Sequence, residues 1–336
     1  MFKSEFRDRR CSEFTDQDLL LFVWKWKVVS MAMLIFNFSR NASESGVYRK
    51  VRNLMKAGHL QYVFLETLNG FGVSLTKSGF SKVQKNIDYL EKVAFRSEAP
   101  LHDYISAAIH FGLFEIHKSF FHSLITEHEI QNLALSNLPV SAPKTRVHCP
   151  DGYLIAGVNP ASGVIAIEIE LSAKEESRYT QLAEFYSKYS NLFGIWIAKT
   201  RTIAINIEDA LKSNSVLNGK RHLIYEWENL VKNDWNAQST FGAAIGTRLS
   251  EIVQSNYLKN SSESEPRLTL SMLLSTKKSP YQSNAFKSPQ NLSSVSLADP
   301  QKIPAPTDIV PDIQNVAPLS LFSPSKQTPE EKKPNE

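Results

Sequence analysis

Cysteine is nearly absent from this chain: there are two in 336 residues, Cys11 and Cys149. A disulfide framework or a thiolate metal site needs more sulfur at closer spacing, so neither is expected, and a reducing cytoplasm fits best. Long uncharged apolar runs are missing as well. The richest, LLLFVWKWKVVSMAMLIF (19–36), carries Lys25 and Lys27 in its middle, whereas a membrane span needs roughly 20 residues nearly free of charge. Buried helices are expected there, with no membrane span, and no secretory leader pattern is visible. Beyond Ser261 there is no Gly, Trp or His, while eleven of the sixteen prolines fall there. Such text sustains neither a helical nor a strand period, so a disordered tail is expected over 261–336.

Two apolar islands interrupt that tail, RLTLSMLLS (267–275) and APLSLFSPS (317–325). They read either as passive leucines or as docking segments for a partner.

What is present suffices for a sizeable core, since 42% of the residues are apolar. The net charge is only +4, yet residues 1–60 hold eleven Lys and Arg against six Asp and Glu. A local cationic excess points to an acidic partner, nucleic acid being the commonest. FTDQDLLLFVWKWK (14–27) predicts a helix capped by Thr15 or Asp16. VSMAMLIFNF (29–38) predicts a second helix, and SESGVYRKVRNLMKAG (43–58) a third that ends at Gly58. In the third, Val47, Val51, Leu54 and Met55 recur at helical spacing and face a core. HLQYVFLETLNGFGVSLTKSG (59–79) then reads as two strands joined at LNG, a hairpin signal. Three helices followed by a hairpin is the order of a winged helix-turn-helix, assigned to residues 1–95.

In that motif the last helix enters the major groove. The candidate DNA-binding residues are therefore Ser45, Tyr48, Arg49, Lys50, Arg52 and Lys56. A small winged domain used for protein contacts is the other reading. Residues 96–145 predict a helical connector with partly exposed histidines, among them His102, His110, His117, His122 and His128, in no metal-binding spacing.

The most informative stretch is CPDGYLIAGVNPASGVIAIEIELSAKEESRY (149–179). RVHCPDGYLI and GVIAIEIELS read as strands around a turn. Alternation places Ile165, Ile167, Ile169 and Leu171 on one face, and Ala166, Glu168, Glu170 and Ser172 on the other. Paired as a hairpin, the strands bring Asp151 to the same end as the glutamates. Three converging carboxylates repel one another unless a cation sits among them, and hard oxygen donors suit Mg²⁺ or Mn²⁺. Ser172 and Glu175 form an S-x-x-E capping box, which would start a helix with Lys174 and Arg178 on one face. Cations beside such a cluster suit a phosphate-handling site. The other reading is a solvated edge strand whose glutamates pair with Lys174 and Arg178. Further along, GIWIAKT (194–200) and RTIAINI (201–207) read as strands and RHLIYEWENLVKN (221–233) as a strand and helix. Lys199 is a secondary candidate.

The pattern P-D … E-x-E … K … R-Y resembles the PD-(D/E)XK nuclease superfamily. Together with the winged helix it looks like the replication-relaxation proteins and, more narrowly, the plasmid mobilisation relaxases of the MobC class, over residues 14 to about 235. The winged-helix half of that likeness is generic and the PDG … AIEIELSAKEESRY half more specific. The resemblance implies an α+β fold with a restriction-endonuclease-like mixed sheet over 146–250, flanked by helices. It implies Mg²⁺- or Mn²⁺-dependent nicking of one strand at a plasmid transfer origin, with double-stranded DNA as substrate. Accessory mobilisation and coupling proteins would meet the tail. Asp151 matches the metal-binding aspartate, and Glu168 and Glu170 stand at the (D/E)-x-K segment. The catalytic set so implied is Asp151, Glu168, Glu170, Lys174, Arg178 and Tyr179, the first three holding the metal. One departure is plain: Glu170 occupies the lysine position, so Lys174 must supply the ammonium. Tyr179 is the nearby hydroxyl, with water as the other nucleophile. A catalytically silent DNA-binding accessory or plasmid regulator, or a nuclease outside conjugation, are the alternatives.

Overall fold

The structure, a computed structural model, describes residues 14–39, 41–85, 97, 99–132, 138, 142–145, 147–156, 163–189, 192–219, 222–252 and 268–276. The expected turn at 157–162, the second apolar island and most of the expected tail lie outside these residues.

Helix α1 (Asp16–Trp26) opens on a full capping box: the Thr15 hydroxyl accepts the Asp18 N–H, and the Asp18 carboxylate accepts the Thr15 N–H. Strand β1 (Val28–Val29) and helix α2 (Met31–Phe38) follow, so the run 19–36 is two buried helices split by a short strand. Among the described residues no helix is long and apolar enough to cross a membrane. Helix α3 (Glu44–Lys56) begins at the Ser43 cap and buries Val47, Val51 and Leu54. Gly58 then takes φ 72°, the left-handed conformation that ends helices. Strands β2 (Leu60–Leu65) and β3 (Gly70–Leu75) pair antiparallel through a 3₁₀ turn and a left-handed Asn69. With β1 they make a three-stranded sheet in the order β1-β3-β2. Helix α4 (Lys77–Gln84) closes this part.

Helix α5 (Pro100–Ile116) starts on a proline, which fits the first helical turn. The segment read as a helical connector then departs from expectation. Phe121–Thr126 is a strand, β4, which pairs antiparallel with β5 (Gly152–Ala156) and so begins the second sheet. After helix α6 (Glu127–Asn132) and β5 come β6 (Val164–Glu170), helix α7 (Glu176–Lys188), β7 (Phe193–Ala198), helix α8 (Arg201–Ser213), β8 (His222–Glu226), helix α9 (Trp227–Asn233) and β9 (Phe241–Gly242). The six-stranded sheet runs β4-β5-β6-β7-β8-β9, with β6, β7 and β8 mutually parallel and the other pairs antiparallel. The chain is thus a mixed α+β fold.

Strand alternation divides the packing of this sheet. Ile167, Ile169, Ile195, Ile197, Leu223 and Tyr225 join α5 and the N-terminal helices in one core. Ala166, Trp196, Ala198 and Ile224 join α7 and α8 in the other.

Three further expectations change. RTIAINI is not a strand: the Thr200 hydroxyl accepts the Ile203 N–H and starts α8, whose buried residues Ile203, Ala204, Ile207 and Leu211 share a helical face. The Ser172–Glu175 box does not form, because α7 begins one turn later with Glu175 at its N-cap and no side-chain cap bond. Finally, residues 268–275 of the first island are part of the fold. Helix α10 (Leu270–Leu273) buries Leu270 and Leu273, the latter beside Gly112 of α5. Asp234 accepts the Leu270 N–H at 2.8 Å, and Trp235 donates to the Leu268 carbonyl at 2.7 Å.

Candidate functional site

Strand β6 is third of six, with neighbours on both sides, so its glutamates do not sit on a solvated edge. Glu168 and Glu170 are each only 3% exposed. Burying a carboxylate is costly unless donors replace water, and each has them. Glu168 Oε1 accepts from the Tyr186 hydroxyl at 2.5 Å and meets His148 Nε2 at 2.5 Å. Glu170 Oε1 pairs with Lys174 Nζ at 2.5 Å. Burial pushes the Glu170 carboxyl up, and the Lys174 ammonium pulls it back. Burial and the Glu168 charge hold Tyr186 well above the usual phenol range, so its hydroxyl stays a donor.

Asp151 sits where β5 has not yet begun. The register sets Gly152 opposite Ile167, which places Pro150 opposite Ile169. Proline has no N–H, and side chains take over the ladder there. Asp151 Oδ2 accepts the Ile169 N–H at 2.6 Å, and His102 Nε2 donates to the Ile169 carbonyl at 3.0 Å. The same imidazole nitrogen lies 3.6 Å from Asp151 Oδ1, with Ser106 at 3.4 Å from its other nitrogen. Burial pushes the Asp151 carboxyl up to about 7; His102 opposes the shift and Glu168 adds to it. Beside this group is a cavity of about 30 Å³, lined by His102, Ser106, His110, Thr126 and Asp151 and by Lys25 and Lys27 from the end of the N-terminal helix. That is room for about one water.

The expected site residues separate into two groups. Asp151, Glu168, Glu170 and Lys174 come together around the end of β6. Arg178 is exposed on α7, where its guanidinium meets Gln181 at 3.5 Å. Tyr179 is 3% exposed in the α7–α8 core, and its hydroxyl accepts the Lys174 N–H at 3.1 Å. It therefore fixes the turn that carries Lys174. Lys174 itself precedes the helix, so it shares no helical face with Arg178. The Lys199 side chain is exposed, and its backbone N–H extends the ladder to Glu170 at 2.9 Å.

Three residues of the cluster carry no local signal. His102 comes from a distant helix, His148 precedes the strand by four residues, and Tyr186 reads as one more apolar position of α7. Of the histidines of 96–145, His102 is half-buried and His122 exposed as expected, and three depart from expectation. His110, His117 and His128 are buried, and burial lowers their proton affinity to about 3, 4 and 4.

Three carboxylates form a donor set of the type that Mg²⁺ or Mn²⁺ takes. In this arrangement each is turned to a protein donor. Among the described residues no group of three or more His, Cys, Asp or Glu is placed to hold a metal ion.

On α3, Ser45, Tyr48, Arg49, Arg52 and Lys56 fall within an arc of about 100° at 3.6 residues per turn, opposite the buried Val47, Val51 and Leu54. Lys50 does not belong to that stripe. Its ammonium donates to the Phe14 carbonyl at 2.7 Å, pairs with Asp16 at 3.3 Å and lies 4.7 Å from the Phe14 ring centre. It clasps α3 to the start of α1.

No family model, curated protein or solved structure matches this chain.

Proposed function

We propose that this chain is a divalent-metal-dependent DNA endonuclease, a nickase of the relaxase kind acting at a plasmid transfer origin. In this reading residues 14–85 are a winged helix-turn-helix and the six-stranded sheet is a restriction-endonuclease-like domain. The observation that carries it is the buried pair Glu168 and Glu170 on a central strand, with Asp151 and Lys174 beside it. Carboxylates gathered at one strand end are costly to bury, and the Glu168 charge raises the carboxyls of both Asp151 and Glu170. The α3 stripe supports DNA as the substrate, since Arg49, Arg52 and Lys56 meet phosphates while Ser45 and Tyr48 can reach base edges. The transfer origin rests on the sequence resemblance.

To hold a metal, Asp151, Glu168 and Glu170 would first have to turn from their present donors; the bound metal would supply charge stabilisation at the scissile phosphate. Lys174 would move from Glu170 to a phosphate oxygen. Glu168, as ligand or base, would take the proton of the attacking water; the water oxygen would bond to phosphorus as the bond to the leaving sugar oxygen breaks, and that oxygen would take a proton from solvent. The burial of Tyr179 favours water over this hydroxyl as nucleophile.

A second reading has an observation of its own. Every carboxylate already has a protein donor, and Glu170 stands where a nuclease lysine is expected, which suits a silent DNA-binding accessory. Mn²⁺ titration followed by electron paramagnetic resonance separates the two. The nuclease reading expects saturable uptake that Glu170→Gln and Asp151→Asn weaken. DNA binding without any uptake of Mn²⁺ supports the accessory instead.

A further inference from the structure

Helix α5 lies outside the sheet, yet one of its side chains reaches the end of β6. Ile105 and Ile109 follow His102 by three and seven residues, on one face of the helix, and share a core with Ile167 and Ile169. That packing sets His102 over the strand end. A carbonyl can only accept, so the contact of Nε2 with the Ile169 carbonyl at 3.0 Å puts the ring proton on Nε2. In the neutral ring Nδ1 is then an acceptor, and the Ser106 hydroxyl, one helical turn on, stands 3.4 Å from it. One ring nitrogen is thus tied to the strand and the other to the helix.

The same ring faces the carboxylate cluster. Asp151 Oδ2 accepts the Ile169 N–H at 2.6 Å, and Asp151 Oδ1 lies 3.6 Å from His102 Nε2. His102 also opposes the rise that burial imposes on Glu170, so it is within electrostatic reach of two of the three carboxylates. Both partners are sheltered from water, with side-chain exposures of 27% for His102 and 15% for Asp151, and polar contacts act more strongly there than in solvent. Capping the Ile169 carbonyl takes a single N–H. The imidazole does more, because its nitrogen also borders the carboxylate on which the proposed chemistry depends.

We infer that His102, braced by Ser106, is a positioning residue for Asp151, keeping its carboxylate at the end of β6 in place for a divalent cation. Metal affinity then depends on a side chain that is not itself a ligand, and α5 belongs to the site as much as the strands do. This rests on the metal-binding part of the proposed function and not on DNA binding or cleavage. Outer partners that orient a metal ligand are worth about ten- to a hundredfold in affinity.

The test is Mn²⁺ titration of the full chain followed by electron paramagnetic resonance, with thermal unfolding of each variant read by circular dichroism. His102→Ala weakens Mn²⁺ binding by about tenfold or more. His102→Gln, whose side-chain amide still offers an N–H, recovers most of that loss. Ser106→Ala leaves the ring in place but unbraced and weakens binding about threefold, the scale of one hydrogen bond. If His102→Ala does not fold, Ser106→Ala decides, and wild-type affinity in it overturns the inference. Wild-type affinity in folded His102→Ala, with only the thermal midpoint lowered, also overturns it and marks a structural cap on Ile169. So does a His102→Gln variant as weak as His102→Ala. Uptake that Asp151→Asn weakens and His102→Ala leaves intact removes the positioning role while the nuclease reading stands. If the wild type takes up no Mn²⁺, the nuclease reading falls and takes the positioning role with it.

Discussion

Asp151 and Ile169 extend the sheet past its last backbone rung: the carboxylate accepts the Ile169 N–H at 2.6 Å, while His102 serves the Ile169 carbonyl, to which Pro150 has no N–H to give. The Pro-Asp dipeptide thus has a structural consequence at the same place as its proposed chemical one. The aspartate is drawn to the end of β6, near enough to Glu168 for that charge to raise its carboxyl.

The Glu168 carboxylate depends on its two donors. Removing the hydroxyl with Tyr186→Phe leaves a buried charge with one partner fewer, a loss of about 1–3 kcal/mol. Urea unfolding of the variant against wild type measures it, and an unchanged midpoint would mean that water replaces the hydroxyl.

The buried histidines should make acid destabilise the fold. His110, His117 and His128 are lowered to about 3, 4 and 4, so below pH 6.5 the unfolded chain takes up protons that the folded chain refuses. Stability is complete above the unfolded value and is lost as pH falls toward 4, by up to about 1.4 kcal/mol per pH unit for each histidine. Asp151, raised to about 7, and Glu170 and Asp234, also raised by burial, act in the opposite sense as pH falls, so the net slope is shallower than the histidines alone would give. Thermal unfolding from pH 7.5 to 4.5 reads the trend, and His110→Phe should flatten it.

Leu273 is fully buried although it lies beyond Ser261 in the Pro-rich part of the chain. Leu273→Ala is expected to cost about 2–5 kcal/mol, measured by denaturant unfolding. A surface-like loss of a few tenths would mean that α10 contributes little to the core.

Legibility followed the range of the interactions. The Thr15 cap, the amphipathic period of α3 and the hairpin at LNG are local, and each could be read directly. The alternation of β6 showed which side chains share a face, because a strand has period two whatever its partners. Strand β4 was hidden, since FHSLIT has little pattern and is specified by pairing with β5 thirty residues on. RTIAINI misled for a different reason. Ile203, Ile205 and Ile207 satisfy the strand period, and only the Thr200 cap and the later Leu211 decide for a helix. His102, His148 and Tyr186 at the site, and Asp234 under α10, act across long separations that no local pattern records. Lys50 looked like a phosphate ligand because its spacing from Phe14 and Asp16 is invisible before folding.

That distinction gives a prediction about salt. If α3 binds DNA, Arg49→Ala, Arg52→Ala and Lys56→Ala should each lower the slope of log affinity against log salt by about 1. Lys50→Ala should leave the slope unchanged and lower thermal stability instead. A slope change at Lys50 equal to that at Arg49 would contradict the assignment.

The most direct measurement of the central claim is nicking of supercoiled plasmid carrying the cognate origin, with Mn²⁺, with Mg²⁺ and in EDTA. Wild type, Asp151→Asn and Glu170→Gln are compared, with Arg178→Ala as a variant outside the cluster. The account expects open circles from wild type and Arg178→Ala only when metal is present, cut at one mapped position, with Asp151→Asn and Glu170→Gln reduced by at least about a hundredfold, the scale of losing a group that stabilises the transition state. Origin binding by all four proteins with no open circles under any metal would contradict it.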